Sequence, residues 1–290
     1  MPGEWEFVTT MEFPTDAPLT AQAYEFIAQL VYERSRIRLG FDKQSLVSGR
    51  LGQRLRTLGM KDYGQYCGLL QSAAGEDEIC ELIDLISTNH THFFREPAHF
   101  DILERQVLPA LCGRSGLGLR PLRVWSAAAS SGEEVYSLAI VLAEFARLRQ
   151  PCAWQIDASD ISNRMLDCCR RGIYPSDKVE LPSQALLERY FQRGFGEREG
   201  YYRVKAELRR SVAVQHINLF QPHYPLPKGL DVIFCRNVMI YFDAPSREQL
   251  VNRLTEQLAP GGYLFVGHSE SLIGIRHSLR AVWPSVYCRA

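Results

Sequence analysis

Leu122-Arg123-Val124-Trp125-Ser126-Ala127-Ala128-Ala129-Ser130-Ser131-Gly132-Glu133-Glu134 is the stretch on which the fold turns. A short apolar run breaks into small residues, then two carboxylates, then an apolar pattern at helical spacing. That is a strand, a tight turn and a helix start. Small residues at such a turn let a ligand approach the backbone, as the glycines do in dinucleotide-binding folds. Glu133 and Glu134 stand where a phosphate binder would present open amides and no negative charge. Carboxylates there suit a ligand with ribose hydroxyls and a positive charge. S-adenosylmethionine has a ribose, an amino group and a sulfonium, and no phosphate. A plain small-residue turn, with acids favouring the helix dipole, gives the same local pattern.

Downstream the chain alternates strand and helix. Strands are expected at Leu122–Ser126, 153–157, Val212–His216, Leu230–Cys235 and 263–267, with a last one near Val286–Arg289. Helices are expected at Glu133–Leu148, 162–171, Gln184–Tyr190 and 247–257. Such alternation predicts an α/β fold with a doubly wound, Rossmann-like parallel sheet. Residues 190–210, rich in Gly, Arg and aromatics, read as a small inserted β-element around Tyr201–Val204.

Upstream, Leu19 to Ile86 reads as helices: Tyr24, Ile27, Leu30 and Val31 share a face. Arg34, Arg36, Arg38, Lys43, Arg50, Arg54, Arg56 and Lys61 face only one acid in the same segment, Asp42. Arg50 and Arg54, four residues apart, share a helix side. The segment is either a solvated basic face or a docking surface for an acidic partner. Residues 87–100 mix hydroxyls, an amide, histidines and aromatics and join the two parts as a linker. His90, His92 and His99 lack the spacing of a metal-ligand set, so no metal is expected.

The rest of the composition sets limits. The 290 residues suffice for one large or two modest domains, with 46% hydrophobic and 23% charged residues. Formal net charge is +0, which argues neither for nor against nucleic acid. The eight cysteines form no CxxC pair and fit reduced thiols in the cytoplasm. No apolar run approaches the length of a membrane helix, and residues 1–16 lack a secretory-signal pattern.

In a parallel sheet the ligand lies outside the carboxyl ends of the strands. Asp157 and Asp160 compete there for ribose hydroxyls; Asp160, just past the expected strand, is preferred over Asp157, and helix capping is its alternative role. Asn218 and Asn237 are amides at further strand ends, able to meet a nucleobase or an amino-acid group. Tyr241, read alone, is a packed aromatic.

Thr88-Asn89-His90-Thr91-His92-Phe93-Phe94-Arg95-Glu96, Trp125 to Glu134, Ala158-Ser159-Asp160-Ile161, Arg171-Gly172-Ile173-Tyr174, Phe234-Cys235-Arg236-Asn237-Val238-Met239-Ile240-Tyr241-Phe242-Asp243 and Gly267-His268-Ser269-Glu270 together resemble the chemotaxis receptor glutamate O-methyltransferases, the CheR family. The resemblance runs from about Leu19 to the C-terminus. It implies a class I S-adenosylmethionine-dependent methyltransferase domain over 101–290, with a small β-subdomain at about 190–212. A helical docking domain over 17–86 and a linker over 87–100 that contributes to the active site complete the implied organisation.

By motif position the resemblance implies cofactor contacts from Asn89, Thr91, Arg95, Glu133 (amino group), Asp160 (ribose), Asn218 and Leu219 (adenine side), and Cys235 and Arg236 (methionine part). Arg95 and Tyr241 match positions beside the transferred methyl, and the basic residues Arg50, Arg54 and Arg56 would dock the substrate. Ala129 replaces a Cys found in some relatives, a small-for-small exchange. The implied reaction moves a methyl from S-adenosylmethionine to receptor glutamates, giving S-adenosylhomocysteine and a γ-methyl ester. The implied partner is the cytoplasmic domain of a methyl-accepting chemoreceptor, met by a monomer without nucleic acid or membrane insertion. Residues 193–204 also resemble the compact loop of relatives whose β-subdomain holds a receptor C-terminal peptide. A cofactor-binding protein without turnover is the alternative reading; Arg95 and Tyr241 favour the enzyme. Methylation of a small molecule or nucleic acid is disfavoured by the basic helical part, and the Asn-Pro-Pro-Tyr motif of amino-methylating enzymes is absent.

Overall fold

A computed structural model describes residues 18–113 and 120–290. The described chain divides into two compact units, one ending at Ile86 and the other comprising Ser87–Ala290 with Ser35–Ile37 attached. No helix among the described residues is long and apolar enough to cross a membrane.

The first unit contains α1 (Ala21–Ser35), α2 (Gln44–Thr57), α3 (Tyr63–Gln71) and α4 (Glu76–Ile86). Asp62 starts α3 by accepting a bond from the Gln65 amide at 2.9 Å. Glu76, Asp77 and Glu78 occupy the first turn of α4, where negative charge complements the helix dipole. Val47, Leu51 and Leu55 bury one stripe of α2, and Ile79, Leu82, Ile83 and Ile86 bury one stripe of α4.

Two of the three arginines expected to dock a partner are engaged within this unit. Arg54 reaches across to α4 and grips Glu78 with both ends of its fork, at 3.0 and 2.6 Å. Glu78 is buried and also accepts the Tyr66 hydroxyl at 2.8 Å. Arg50 donates to the carbonyls of Leu85 and Ile86 at 3.0 and 2.6 Å, capping the end of α4. Each arginine lies three residues after a buried apolar position of α2, beside the packed stripe, so helix geometry turns both toward α4. Arg56 and Lys61 remain exposed.

In the second unit, α5 (Ala98–Ile102), a π-helical turn (Leu103–Val107) and α6 (Leu108–Cys112) form one continuous helical stretch. Then follow β1 (Leu122–Ser126), α7 (Glu133–Leu148), β2 (Trp154–Asp160), α8 (Asn163–Arg171), β3 (Ile173–Pro175), α9 (Gln184–Tyr190), β4 (Phe191–Arg193), β5 (Tyr201–Val204), α10 (Ala206–Arg210), β6 (Val212–His216), β7 (Leu230–Cys235), α11 (Ala244–Gln257), β8 (Leu258–Val266), β9 (Leu279–Trp283) and β10 (Val286–Arg289). The main sheet has seven strands in the order β6-β2-β1-β7-β8-β10-β9.

β6, β2, β1, β7 and β8 pair in parallel, as a doubly wound sheet requires, and β10 runs antiparallel to both β8 and β9 at the edge. The reason is local. Pro284-Ser285, with Ser285 at φ 57°, turns β9 straight back into β10, and a two-residue turn can join only antiparallel strands.

Strand residues alternate between the two faces of the sheet. Val124, Ile156, Val232, Phe234 and Phe265 pack with Val135, Leu138, Ala139 and Leu142 of α7. Trp125, Ile233, Cys235, Leu264 and Val266 pack on the other face with Leu250, Val251 and Leu254 of α11. A three-stranded antiparallel sheet, β3-β5-β4, forms the small subdomain. Its strand β3 comes from before α9, outside the stretch singled out in the sequence, because Ile173–Pro175 pairs with Tyr201–Arg203.

Candidate active site

Register places the carboxyl ends of the parallel strands side by side: Ser126 pairs with Ala158 and Phe234, Asp160 with His216, and Cys235 with Val266. The chain order reverses direction across the sheet between β1 and β7, which is where ligands bind in such folds.

The β1–α7 turn is held by backbone bonds, Ala127 N to the Phe234 carbonyl and Ala129 N to that of Ser159, both 2.8 Å. Gly132 sits at φ 100°, where a Cβ would fall 2.7 Å from Cys169 Sγ and 2.9 Å from the Tyr174 hydroxyl. Ser130, at φ 48°, aims its amide at Asp160 Oδ2 (2.8 Å) and its hydroxyl at the Asn89 carbonyl (3.1 Å). The turn therefore ties the linker to the end of β2.

Glu133 opens α7 and is buried, with Ser131 Oγ donating to it at 2.7 Å. Burial pushes its carboxyl up, against the Ser131 bond. A ligand cation would relieve that cost. Asp160 is the last residue of β2, which extends beyond the expected end at 157. It accepts the amides of Ser130 and Ser162, while Ser162 Oγ itself caps α8. Asp157 lies inside the strand opposite Trp125. Ile217 N bonds the Asp160 carbonyl at 3.1 Å, which brings Asn218 and Leu219 beside it. Asn218 Oδ1 accepts the Phe220 amide at 2.9 Å and shapes the turn, and the Leu219 side chain is buried.

The linker crosses these strand ends. Asn89 is half-buried, and its Nδ2 is a buried donor without a hydrogen-bond partner. Such an orphaned donor beside the turn fits an acceptor on a bound ligand, such as an amino-acid carboxylate. Thr91 is half-buried nearby in sequence. Arg95 donates from Nη1 to the His90 carbonyl at 2.9 Å, a single tie for a guanidinium with further donors. Tyr241 closes a 3₁₀ turn (Met239–Tyr241) after β7 and is half-buried.

Sequence reading missed the interior that holds this array. The Arg236 side chain is completely buried. It donates to Glu134 at 2.9 Å, to Glu96 at 2.9 Å and to the Arg95 carbonyl at 2.5 Å. Glu96 also accepts from Asn237 Nδ2 at 3.1 Å and the His268 amide at 3.2 Å. Burial alone would raise the Glu96 carboxyl; the bonds from Arg236 and Asn237 overcome it and hold it at about 2. Glu270, buried, gathers the amides of Asn237, Met239 and Gly267 at 2.7 Å each and so builds the turn carrying Tyr241. Cys235, fully buried, packs in the core. Glu96, Glu134, Asn237 and Glu270 all stood within or beside the quoted motifs. Their pairing across the chain left no local signal.

The histidines separate. His90 and His92 are exposed, whereas His99 is buried and held neutral by burial, near Arg236 and His268, at about 3. Ligand atoms of Glu96, His99 and His268 lie within 4.8 Å of one another. The Glu96 carboxylate is already engaged by the buried Arg236 guanidinium, whose charge opposes a cation.

Two family models match the chain, "CheR methyltransferase, SAM binding domain" over residues 89–287 and "CheR methyltransferase, all-alpha domain" over 22–87. The chain belongs to the CheR methyltransferase family. It is 41% identical to the chemotaxis protein methyltransferase of Salmonella typhimurium over 261 residues, 90% of this chain and 88% of the relative. It is 40% identical to chemotaxis protein methyltransferase 2 of Pseudomonas aeruginosa over 271 residues, 93% of this chain and 94% of the relative. Among solved structures, the rRNA methyltransferase aviRa from Streptomyces viridochromogenes aligns at a TM-score of 0.41 and 16% identity, over 70% of this chain and 87% of that one. The sheet order, the turn at β1 and the family together make this CheR domain a class I, S-adenosylmethionine-dependent methyltransferase fold.

Proposed function

We propose that this CheR-family protein transfers a methyl group from S-adenosylmethionine to glutamate side chains of a methyl-accepting chemoreceptor, in chemosensory adaptation. The observation carrying this reading is the linker, which ties Asn89 to the β1 turn and the Arg95 backbone to the end of β7. When bound, S-adenosylmethionine supplies a sulfonium-activated methyl. Glu133 would meet its amino group, Asp160 its ribose hydroxyls, Asn218 and Leu219 the adenine side, and Asn89, Thr91, Arg95 and the Cys235–Arg236 backbone the methionine part. The acceptor carboxylate is already ionised at neutral pH, so no general base is required. Arg95 orients that carboxylate with its forked donors. Tyr241 would border the methyl and narrow the approach, and holding reactants in near-attack geometry can supply most of the acceleration. Asp160→Ala is expected to weaken S-adenosylmethionine binding by about 1.5–3 kcal/mol, roughly 10- to 150-fold. Calorimetry giving one site per chain and unchanged affinity in the variant would remove Asp160 from the ribose.

Docking rests on the exposed Arg56, while Arg50 and Arg54 shape the helix that presents it. The two roles separate experimentally. Arg54→Ala leaves Glu78 buried without its partner and should cost about 1–3 kcal/mol in urea denaturation. Arg56→Glu should slow receptor methylation at low salt without changing cofactor affinity or stability. Equal behaviour of the two variants in both assays refutes the division.

The small subdomain offers a second contact. β3 and β4 are both edge strands, and an edge can pair with an extended peptide. Arg193, Arg198 and Arg203 would meet the acidic or terminal carboxylates of a receptor C-terminal peptide. No binding of such labelled peptides at millimolar concentration, with cofactor present, refutes this contact. The protein acts as a cytoplasmic monomer in this reading.

A further inference from the structure

Glu96 lies one residue from Arg95 and is engaged from three directions. Its carboxylate accepts Arg236 Nη2 at 2.9 Å, Asn237 Nδ2 at 3.1 Å and the His268 amide at 3.2 Å. Asn237 follows β7 and His268 follows β8, so one side chain ties the linker to two adjacent strand ends. The same Arg236 Nη2 that holds Glu96 also donates to the Arg95 carbonyl at 2.5 Å, and Nη1 anchors the guanidinium on Glu134 at the start of α7. Arg95 is thus fixed through its backbone, by a buried cation whose position Glu96 shares in setting.

The local conformation needs such fixing. Phe94 and Glu96, on either side of Arg95, both adopt left-handed backbone, at φ 52° and 57°. Non-glycine residues persist there only where surroundings over-determine them. Phe94 is held by its amide on Ser137 Oγ at 2.9 Å. Glu96 is held by its carboxylate. The Arg95 side chain itself carries one bond, to His90, so its direction follows from the backbone at its two neighbours.

We propose that Glu96 is a positioning residue for methyl transfer: paired with Arg236 and Asn237, it sets the backbone that aims the Arg95 guanidinium at the acceptor carboxylate. Its carboxylate is occupied by protein donors, so its part is to position and not to react. The inference rests on the orienting role of Arg95 given above, and extends it to a residue with no assigned part. Glu96→Gln keeps the shape and loses the charge. It lowers kcat by about 10- to 100-fold, the scale of a small misplacement at a reacting centre, while calorimetric affinity for S-adenosylmethionine stays near wild type.

A double-mutant cycle with Arg95→Ala provides the test, read by radiolabel transfer to a receptor cytoplasmic domain. If Glu96 acts through Arg95, adding Glu96→Gln to Arg95→Ala costs little more turnover. Losses that multiply, or a Glu96→Gln enzyme with wild-type kcat while Arg95→Ala is impaired, overturn the positioning role alone. Wild-type turnover in Arg95→Ala itself overturns the role of Arg95 and the inference with it. Asn237→Gly removes one of the Glu96 bonds at a residue whose φ of 57° glycine accepts without strain, and serves where Glu96→Gln loses cofactor binding or folding. It gives a smaller kcat loss that is likewise absent in the Arg95→Ala background, and a loss that persists there contradicts the proposal.

Discussion

Arg95→Ala is expected to lower methyl transfer to a receptor domain by about 100-fold, the scale of losing orientation at a reacting centre. Folding should hardly change, and turnover should fall far more than cofactor affinity. The side chain makes one bond, to the His90 carbonyl, and is only half-buried. Its backbone carbonyl, which is what Arg236 grips, survives the substitution. The loss therefore falls mainly on kcat, with the melting temperature near wild type and a smaller change in calorimetric affinity. Arg95→Lys restores the charge without the fork and should recover only part of the rate. A well-folded Arg95→Ala enzyme with near wild-type turnover would remove Arg95 from the chemistry.

Arg236→Ala should act on the fold instead, with a loss of about 3–5 kcal/mol, because removing one partner of a buried pair leaves uncompensated charge. The vacated site would contain Glu96 and Glu134 with no cation between them, and the flanking rings of Phe100 and Phe234 would lose a guanidinium at 5.7 Å. Such a loss is a large part of a domain's whole stability. It should also depend on pH in a defined direction. Glu96 is held at about 2 in the folded wild type, below its ordinary 4.5, so it stabilises the fold above its unfolded value and that contribution fades as pH falls toward 2. In Arg236→Ala the main group depressing that value is gone. The stability gap between wild type and variant should therefore narrow as pH falls from about 5 to about 2. Urea titrations showing a constant gap, or a loss below 1 kcal/mol, would show that the pair is not the anchor described.

Much of the α/β unit was readable because its signals are local. β1, β6, β7, α7 and α9 fall at the bounds their apolar runs and small-residue turns marked. β2 read short: Ala158-Ser159-Asp160 looks like a turn, yet the backbone goes on pairing with β1 and β6 on both sides. β8 begins at Leu258 and not at 263, because Pro260-Gly261-Gly262 carries no strand signal; the pairing with β7 absorbs it as an irregularity after Leu230. β9 was missed because an exposed edge strand with Arg280 and Ala281 has no strong alternation.

The side-chain targets were less legible. Arg50 and Arg54 have the same spacing whether they face water or α4, and only the partner helix decides. Arg236 read as a strand-end residue. Its partners Glu134 and Glu96 lie 102 and 140 residues away in sequence, a pairing no local pattern encodes.

The central claim is carboxyl methylation at the site formed by the linker and the strand ends, and the measurement closest to it is the chemistry of the transferred label. The protein is incubated with S-adenosylmethionine radiolabelled in its methyl and with receptor cytoplasmic domains, and the modified receptor is then treated with mild base. Carboxyl methylation places label on receptor glutamates that base releases as methanol, as an ester requires, and that falls away in Arg95→Ala. Receptor label that resists base, or cofactor binding with no label on any receptor domain, would contradict it.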